Sequence, residues 1–238
     1  MIALVTGANK GIGLEVVAGL GRQGHTVLLG ARDEERGRSA AARLRDSGLD
    51  VRYAALDVND DESVAAAARA IDDEFGRLDV LVNNAAIKLE RAPSPPSECS
   101  LATVRDTFET NVFGAIRVIL ATLPLLRRAP AARIVNVSSG LGSLTLATTV
   151  GTKYQEKPLL SYNVSKSALN SVTVQFANEL RDTACKVNAV DPGYTNTEMT
   201  GTGSRTPETA AAVIVDLATL PADGPTGCFF DERGEVPW

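Results

Sequence analysis

The chain has a single histidine, His25, in 238 residues. A zinc site built on several imidazoles, an H-E-x-x-H protease and a two-histidine proton relay all need more than this, so no metal site is expected. Cysteine is also scarce: Cys99, Cys185 and Cys228 form neither a C-x-x-C pair nor an even disulfide set, and they read as reduced thiols of a cytoplasmic protein. No leader is expected either. Met1 is followed at once by the apolar run 2–5 and then Thr6-Gly7, with no basic segment and no apolar core of signal-peptide length. The longest uncharged stretch, 134–152, is broken by Asn136, Ser138, Ser139, three glycines and several threonines, which makes it too polar to span a bilayer. Positive charge is not in surplus either, with 24 Lys and Arg against 29 Asp and Glu, so neither a nucleic-acid nor a membrane partner is expected. Any anion must be held by a local cluster.

What the chain does have is an alternation. Runs 2–6, 26–31, 51–56, 80–83, 133–137 and 186–190 are rich in β-branched residues and almost unbroken in apolar character, as parallel strands covered on both faces are. Between them, 14–22, 34–46, 61–75, 101–126 and 161–181 repeat apolar residues three and four apart; in the last, Val164, Ala168, Val172, Phe176 and Leu180 line one stripe. A helix near 207–220, with Pro207 at its start, and a strand near 228–230 complete the series. Strands alternating with helices predict an α/β fold, a doubly wound parallel sheet of the Rossmann type. With no compositional break, the expectation is one domain over residues 1–238. Two loops stand out, 91–97 and 141–160, both after strands and so at the carboxyl edge, where such sheets bind ligands.

The first strand runs into Thr6-Gly7-Ala8-Asn9-Lys10-Gly11-Ile12-Gly13, and a helix follows. Gly7 permits a tight turn, Gly11 lets the backbone approach a pyrophosphate, and Gly13 lets the helix pack close to the strand. The G-x-x-x-G-x-G spacing differs from G-x-G-x-x-G, and no Lys-Ser/Thr pair follows to make a P-loop. A ligand-free glycine turn is the competing reading, which the strand-turn-helix setting disfavours.

Together with Leu56-Asp57-Val58, the run DVLVNNAA at 79–86 and Asp191-Pro192-Gly193, this turn resembles the short-chain dehydrogenase/reductase family over nearly the whole chain. The resemblance implies a single domain, a sheet of about seven strands with helices on both faces, and a dinucleotide along the carboxyl edge. The cofactor contacts it implies are Gly7, Asn9, Lys10, Gly11, Ile12, Gly13, Arg32, Arg36, Asp57, Val58, Asn84, Tyr162, Lys166, Pro192, Gly193, Thr195 and Thr197. Ala86 stands where the family usually has glycine.

The choice of dinucleotide turns on charge. Asp33 lies at the distance where an acid would bind a ribose 2'-hydroxyl, but Arg32 precedes it, Arg36 follows one helical turn on, and Lys10 lies in the glycine turn. Each cation alone reads as a solvated surface charge. Three converging cations in an acidic protein point to a 2'-phosphate, hence NADP(H).

For the reaction, Tyr162 is the only one of four tyrosines with a lysine four residues later, Lys166, on the same helical face. Such pairs are common on helix surfaces. A nearby ammonium favours phenolate, and the expectation is that Lys166 brings Tyr162 down toward neutral pH. Ser138 and Ser139 both end a strand, alternation lets only one face a substrate, and the family's pattern selects Ser139 as the oxyanion donor. The resemblance implies that Asn111, on the 101–126 helix, holds a water that relays protons to the lysine, so Asn111, Ser139, Tyr162 and Lys166 complete the family tetrad. Ser139 and Tyr162 are 23 residues apart, more than in most members. The extra segment 146–160 and the closing residues 229–238 resemble the carbonyl-reductase-like branch and its plant relatives, in which that segment covers a dimerisation helix. A monomer is therefore favoured over a homo-oligomer. Residues 200–206 are short and rich in Gly, Ser and Thr, as a small lid would be.

These expectations converge on an NADPH-dependent reductase of a small-molecule carbonyl compound. Two alternatives are an NAD-dependent alcohol dehydrogenase relying on Asp33 and a non-catalytic NADP(H)-sensing protein; the intact tetrad argues against the second.

Overall fold

The computed structural model describes residues 1–90 and 92–238, so the first residue of the 91–97 loop, Arg91, lies outside the described residues. Strand β1 (Ile2–Val5) leads through the glycine turn into helix α1 (Gly11–Arg22), and the alternation continues as β2 (Thr26–Ala31), α2 (Glu34–Asp46), β3 (Val51–Ala55), α3 (Asp61–Phe75) and β4 (Val80–Asn83). The second half runs α4 (Leu101–Phe108), α5 (Gly114–Arg128), β5 (Arg133–Val137), α6 (Leu144–Thr148), α7 (Leu160–Glu179), β6 (Lys186–Val190), α8 (Pro207–Ala218), β7 (Phe229–Asp231) and β8 (Gly234–Glu235). Local signals set these boundaries. Asp60 caps α3 by accepting the N–H groups of Glu62 and Ser63, and Thr206 caps α8 with Pro207 in its first turn.

The sheet order is β3-β2-β1-β4-β5-β6-β7-β8. All pairs are parallel except β7–β8, where Phe230 faces Glu235 in antiparallel register. The count is thus eight strands rather than seven, because the chain turns back on itself after β7; a two-residue strand has no periodicity to read. Burial follows the pleat. Ala3, Val5, Val27, Leu29, Val80 and Val82 pack with α1, α2 and α8, while the intervening Leu4, Leu28 and Leu81 pack with α3, α5 and α7.

The helix expected over 101–126 is interrupted by a π turn, Glu109–Phe113, which lifts Asn111 out of the regular ladder. The stretch Leu101–Arg128 has the length and hydropathy of a membrane span, yet Val118, Ile119, Leu123 and Leu126 sit in the sheet core. The 141–160 loop contains α6, and the chain end docks on it: Ser143 Oγ donates to Pro237 O at 2.6 Å, Thr145 N to Trp238 O at 3.0 Å, and Trp238 stacks on Phe229. The strand order reverses around β1, with β2 on one side and β4 on the other, and a crevice opens beyond their carboxyl ends.

Candidate active site

Two cavities lie along this edge. Gly7, Asn9, Lys10, Gly11, Ile12, Gly13, Arg32, Asp57, Val58, Asn84, Tyr162, Lys166, Pro192 and Thr197, all named from the sequence, line the first, a crevice of about 300 Å3. At its β1 end, Gly7 has φ +61°, and a Cβ there would lie 2.8 Å from Ala85 Cα, so the turn tolerates no side chain. A Cβ on Gly13 would lie 2.5 Å from Asn84 Nδ2. Asn84 ties the turn to β4, its Nδ2 donating to Thr6 O at 2.9 Å and Gly7 O at 3.1 Å. Lys10, at the start of α1, makes no side-chain cap, so the first N–H groups of the helix lack a side-chain acceptor. A backbone cradle at a helix N-terminus, with a tyrosine and a lysine at the far end of the same crevice, fits a dinucleotide.

The cations of the 2'-phosphate argument divide. Lys10 and Arg32 line the crevice, although Lys10 is paired with Glu198. Arg36 does not line it; its guanidinium lies 3.4 Å from Asp33, on the exposed first turn of α2. Asp33 itself caps α2, its carboxylate accepting the Arg36 N–H at 3.0 Å. Neither member of that pair borders the crevice.

Tyr162 and Lys166 occupy the first two turns of α7. Lys166 is 2% exposed, its Nζ donates to Val137 O at 2.8 Å, and it lies 5.6 Å from the Tyr162 ring centroid. Burial pushes the Lys166 ammonium down to about 8, against the opposing charge of Asp191. Tyr162 departs from the expectation. Burial first and the Asp191 carboxylate second raise its pKa, and hydrogen bonding with Ser139 only partly offsets them. Desolvation and the second charge, neither of them visible in the Tyr162-Lys166 spacing, decide the direction.

A second cavity, of about 380 Å3, opens on the other side of Tyr162 and contains Ser139, Asp191 and Gly193. Gly193 therefore borders this space rather than the crevice, and Thr195 borders neither: its buried hydroxyl points to Gly193 O at 3.1 Å. The two serines separate as alternation requires. Ser138 borders the crevice, buried and with its hydroxyl bonded to Asn170, whereas Ser139 lies in the second cavity and accepts the Leu141 N–H at 3.2 Å. Asn111 borders neither cavity. Its amide is committed to the main chain of Ile87, accepting the N–H at 2.8 Å and donating to the carbonyl at 2.9 Å, and it also donates to Ser165 Oγ at 3.0 Å. Its side chain is a strut between the β4 loop and α7, with both Nδ2 hydrogens committed and one lone pair of Oδ1 left over.

Several groups at the site had no sequence signal of their own. Lys88, Lys153, Tyr154, Lys157 and Tyr194 border the second cavity. Residues 200–206 close back on β6's extension through Asn196 N to Arg205 O at 2.9 Å and Thr200 Oγ1 to Thr195 O at 2.6 Å. Asp191 alone was findable, as a carboxylate directly before the Pro192-Gly193 pair.

Comparison with known proteins agrees with this geometry. A family model described as short chain dehydrogenase matches residues 1–208. Carbonyl reductase [NADPH] 1 of Bos taurus is 35% identical over 276 aligned positions, taking in 100% of this chain and 98% of the bovine one. Among solved structures, the NADPH-bound carbonyl reductase from chicken fatty liver superposes with a TM-score of 0.86 at 27% identity, covering 99% of this chain and 98% of that one. Menthone neomenthol reductase from Mentha piperita gives 0.78 at 33% identity, covering 97% and 98%. Every residue that borders either cavity falls within the matched 1–208, and the chain belongs to the short-chain dehydrogenase/reductase family.

Proposed function

We propose that the protein is an NADPH-dependent reductase that converts the carbonyl group of a small aldehyde, ketone or quinone to the alcohol, with Tyr162 as proton donor. The observation that carries this reading is the meeting of the two cavities at Tyr162, which borders both. Relatives named as NADPH carbonyl reductases support it. The NAD alternative has less support, since Asp33 spends its carboxylate on the α2 cap.

In this reading Lys10 and Arg32 hold the 2'-phosphate and the N-terminus of α1 the pyrophosphate. When bound, NADPH supplies the hydride that adds to the carbonyl carbon. Ser139 donates a hydrogen bond to the carbonyl oxygen as negative charge builds there, a contribution on the order of 100-fold in rate. Tyr162 transfers its phenolic proton to that oxygen, and its raised pKa keeps it protonated for the task. Lys166 holds the ribose hydroxyls and stabilises the phenolate left behind. The protein acts as a monomer, in the cytoplasm.

The test follows the loss of NADPH and NADH absorbance separately, with a panel of quinones, aldehydes and ketones. Preference for NADPH and a loss of about 100-fold or more in Tyr162→Phe are expected. Equal use of NADH would remove the role given to Lys10 and Arg32. Undiminished turnover in Tyr162→Phe would remove the acid, and tight NADPH binding without turnover of any substrate would favour a sensor.

A further inference from the structure

We propose that the second cavity selects carbonyl compounds that also bear a carboxylate, with Lys88 and Lys157 as its anchors. The inference rests on the carbonyl-reductase reading for its reacting group, but its charge argument stands on the cavity alone. The protein carries a net charge of -5, yet among the described residues the charged side chains that border this cavity are Lys88, Lys153, Lys157 and Asp191. The lysines arrive from two segments, Lys88 from the loop after β4 and the other two from the chain between α6 and α7. That both segments deliver cations to one space in an acidic protein is the feature to be explained.

The carboxylate already present does not neutralise them. Asp191 is buried and accepts the Gly193 N–H at 2.9 Å, and the lysines with which it interacts are Lys153 and Lys166. Lys88 and Lys157 are half-buried and form no ion pair among the described residues. The Lys157 ammonium rests 4.7 Å from the Tyr194 ring centroid, which supports the charge from one side and leaves its N–H groups on the other side free. Neither ammonium has a carboxylate partner among the described residues, and an entering anion accepts charge-assisted hydrogen bonds from them. Leu141, Leu159, Tyr154 and Tyr194 supply apolar and aromatic wall, and Ser139, Thr200 and Thr202 add hydroxyl groups. About 380 Å3 bounded in this way suits an aromatic aldehyde or ketone whose carboxylate lies across the ring from its carbonyl.

The experiment compares 4-formylbenzoate with its methyl ester as substrates of the NADPH-loaded enzyme. In parallel, the corresponding alcohols are titrated calorimetrically into the NADPH-loaded protein; both partners are then already reduced, so the titration reads binding without turnover. The expected result is a preference of roughly tenfold or more for the acid over the ester in kcat/KM and in affinity, collapsing toward unity in Lys88→Gln/Lys157→Gln and weakening with added salt. Either single variant replaces the pair if the double variant fails to fold. An ester that reacts and binds as well as the acid, or a preference that survives the substitutions, overturns the proposal, as does failure of both alcohols to bind. Lysine-dependent binding of the acid without reduction of either aldehyde would uphold the subsite and reject the reaction assigned above.

Discussion

Glu90 caps the helix that carries Tyr162. Its carboxylate accepts the Tyr162 N–H at 3.1 Å and the Ser161 hydroxyl at 2.6 Å. Helix α7 has no cap of its own, because Leu159 at its N-cap position offers no acceptor. An acid from the β4 loop supplies it, and its charge also suits the positive end of the helix. Glu90 thus fixes where α7 begins, and Tyr162 is only a few residues inside that start.

Glu90→Ala should therefore lower stability by about 1 kcal/mol and reduce kcat several-fold, while the KM for NADPH changes little. Glu90→Gln keeps an acceptor oxygen and should recover part of the lost kcat. Thermal melts and steady-state kinetics on both variants check this. A lower melting temperature with unchanged kcat would reduce Glu90 to a purely structural cap.

The glycine turn and the Tyr162-Lys166 pair were legible because their chemistry is local: neighbours in sequence become neighbours in space through one turn or one helical repeat. Glu90 and Ser161 are 71 positions apart, and Lys10 and Glu198 are 188 apart. Those meetings depend on how loops leave the sheet edge, for which the sequence carries no period. The pairing of Arg36 with Asp33 was not legible for a related reason. Counting cations near the end of β2 does not reveal that Asp33, as a helix cap, draws the next arginine away from the crevice. The π turn around Asn111 had no signal, because a single inserted residue barely disturbs the helical pattern around it.

Glu198 competes for the cation assigned to the cofactor. It pairs with Lys10 and both border the crevice, and that partner holds the Glu198 carboxyl below its usual range. A phosphate entering beside Lys10 must displace this carboxylate or share the lysine with it. Glu198→Gln should lower the KM for NADPH by about two- to fivefold, a modest gain because exposed ion pairs are weak. NADH, without the 2'-phosphate, should gain less, so the NADPH/NADH ratio is the quantity to measure. An equal gain for both cofactors would show that Glu198 acts on the whole crevice rather than on the phosphate.

Asp191 adds to burial in holding Tyr162 protonated. Its negative charge opposes formation of the phenolate and, with burial, keeps the phenol protonated. The groups around the carboxylate are the Gly193 and Gly140 N–H donors, Lys153 and Asp231, with burial raising its own pKa above the ordinary aspartate range. Asp191→Asn retains an oxygen for the Gly193 N–H, so the loop geometry survives while the charge is removed. Tyr162 then ionises at lower pH. Carbonyl reduction requires the protonated phenol, so its alkaline limb should move to lower pH in the variant; alcohol oxidation requires the phenolate, so its acidic limb should move the same way. At pH values low enough to protonate Asp191 in the wild type, the two enzymes should converge. Profiles of kcat/KM in both directions provide the check, and limbs that coincide across the range would show that the Asp191 charge does not reach the reacting phenol.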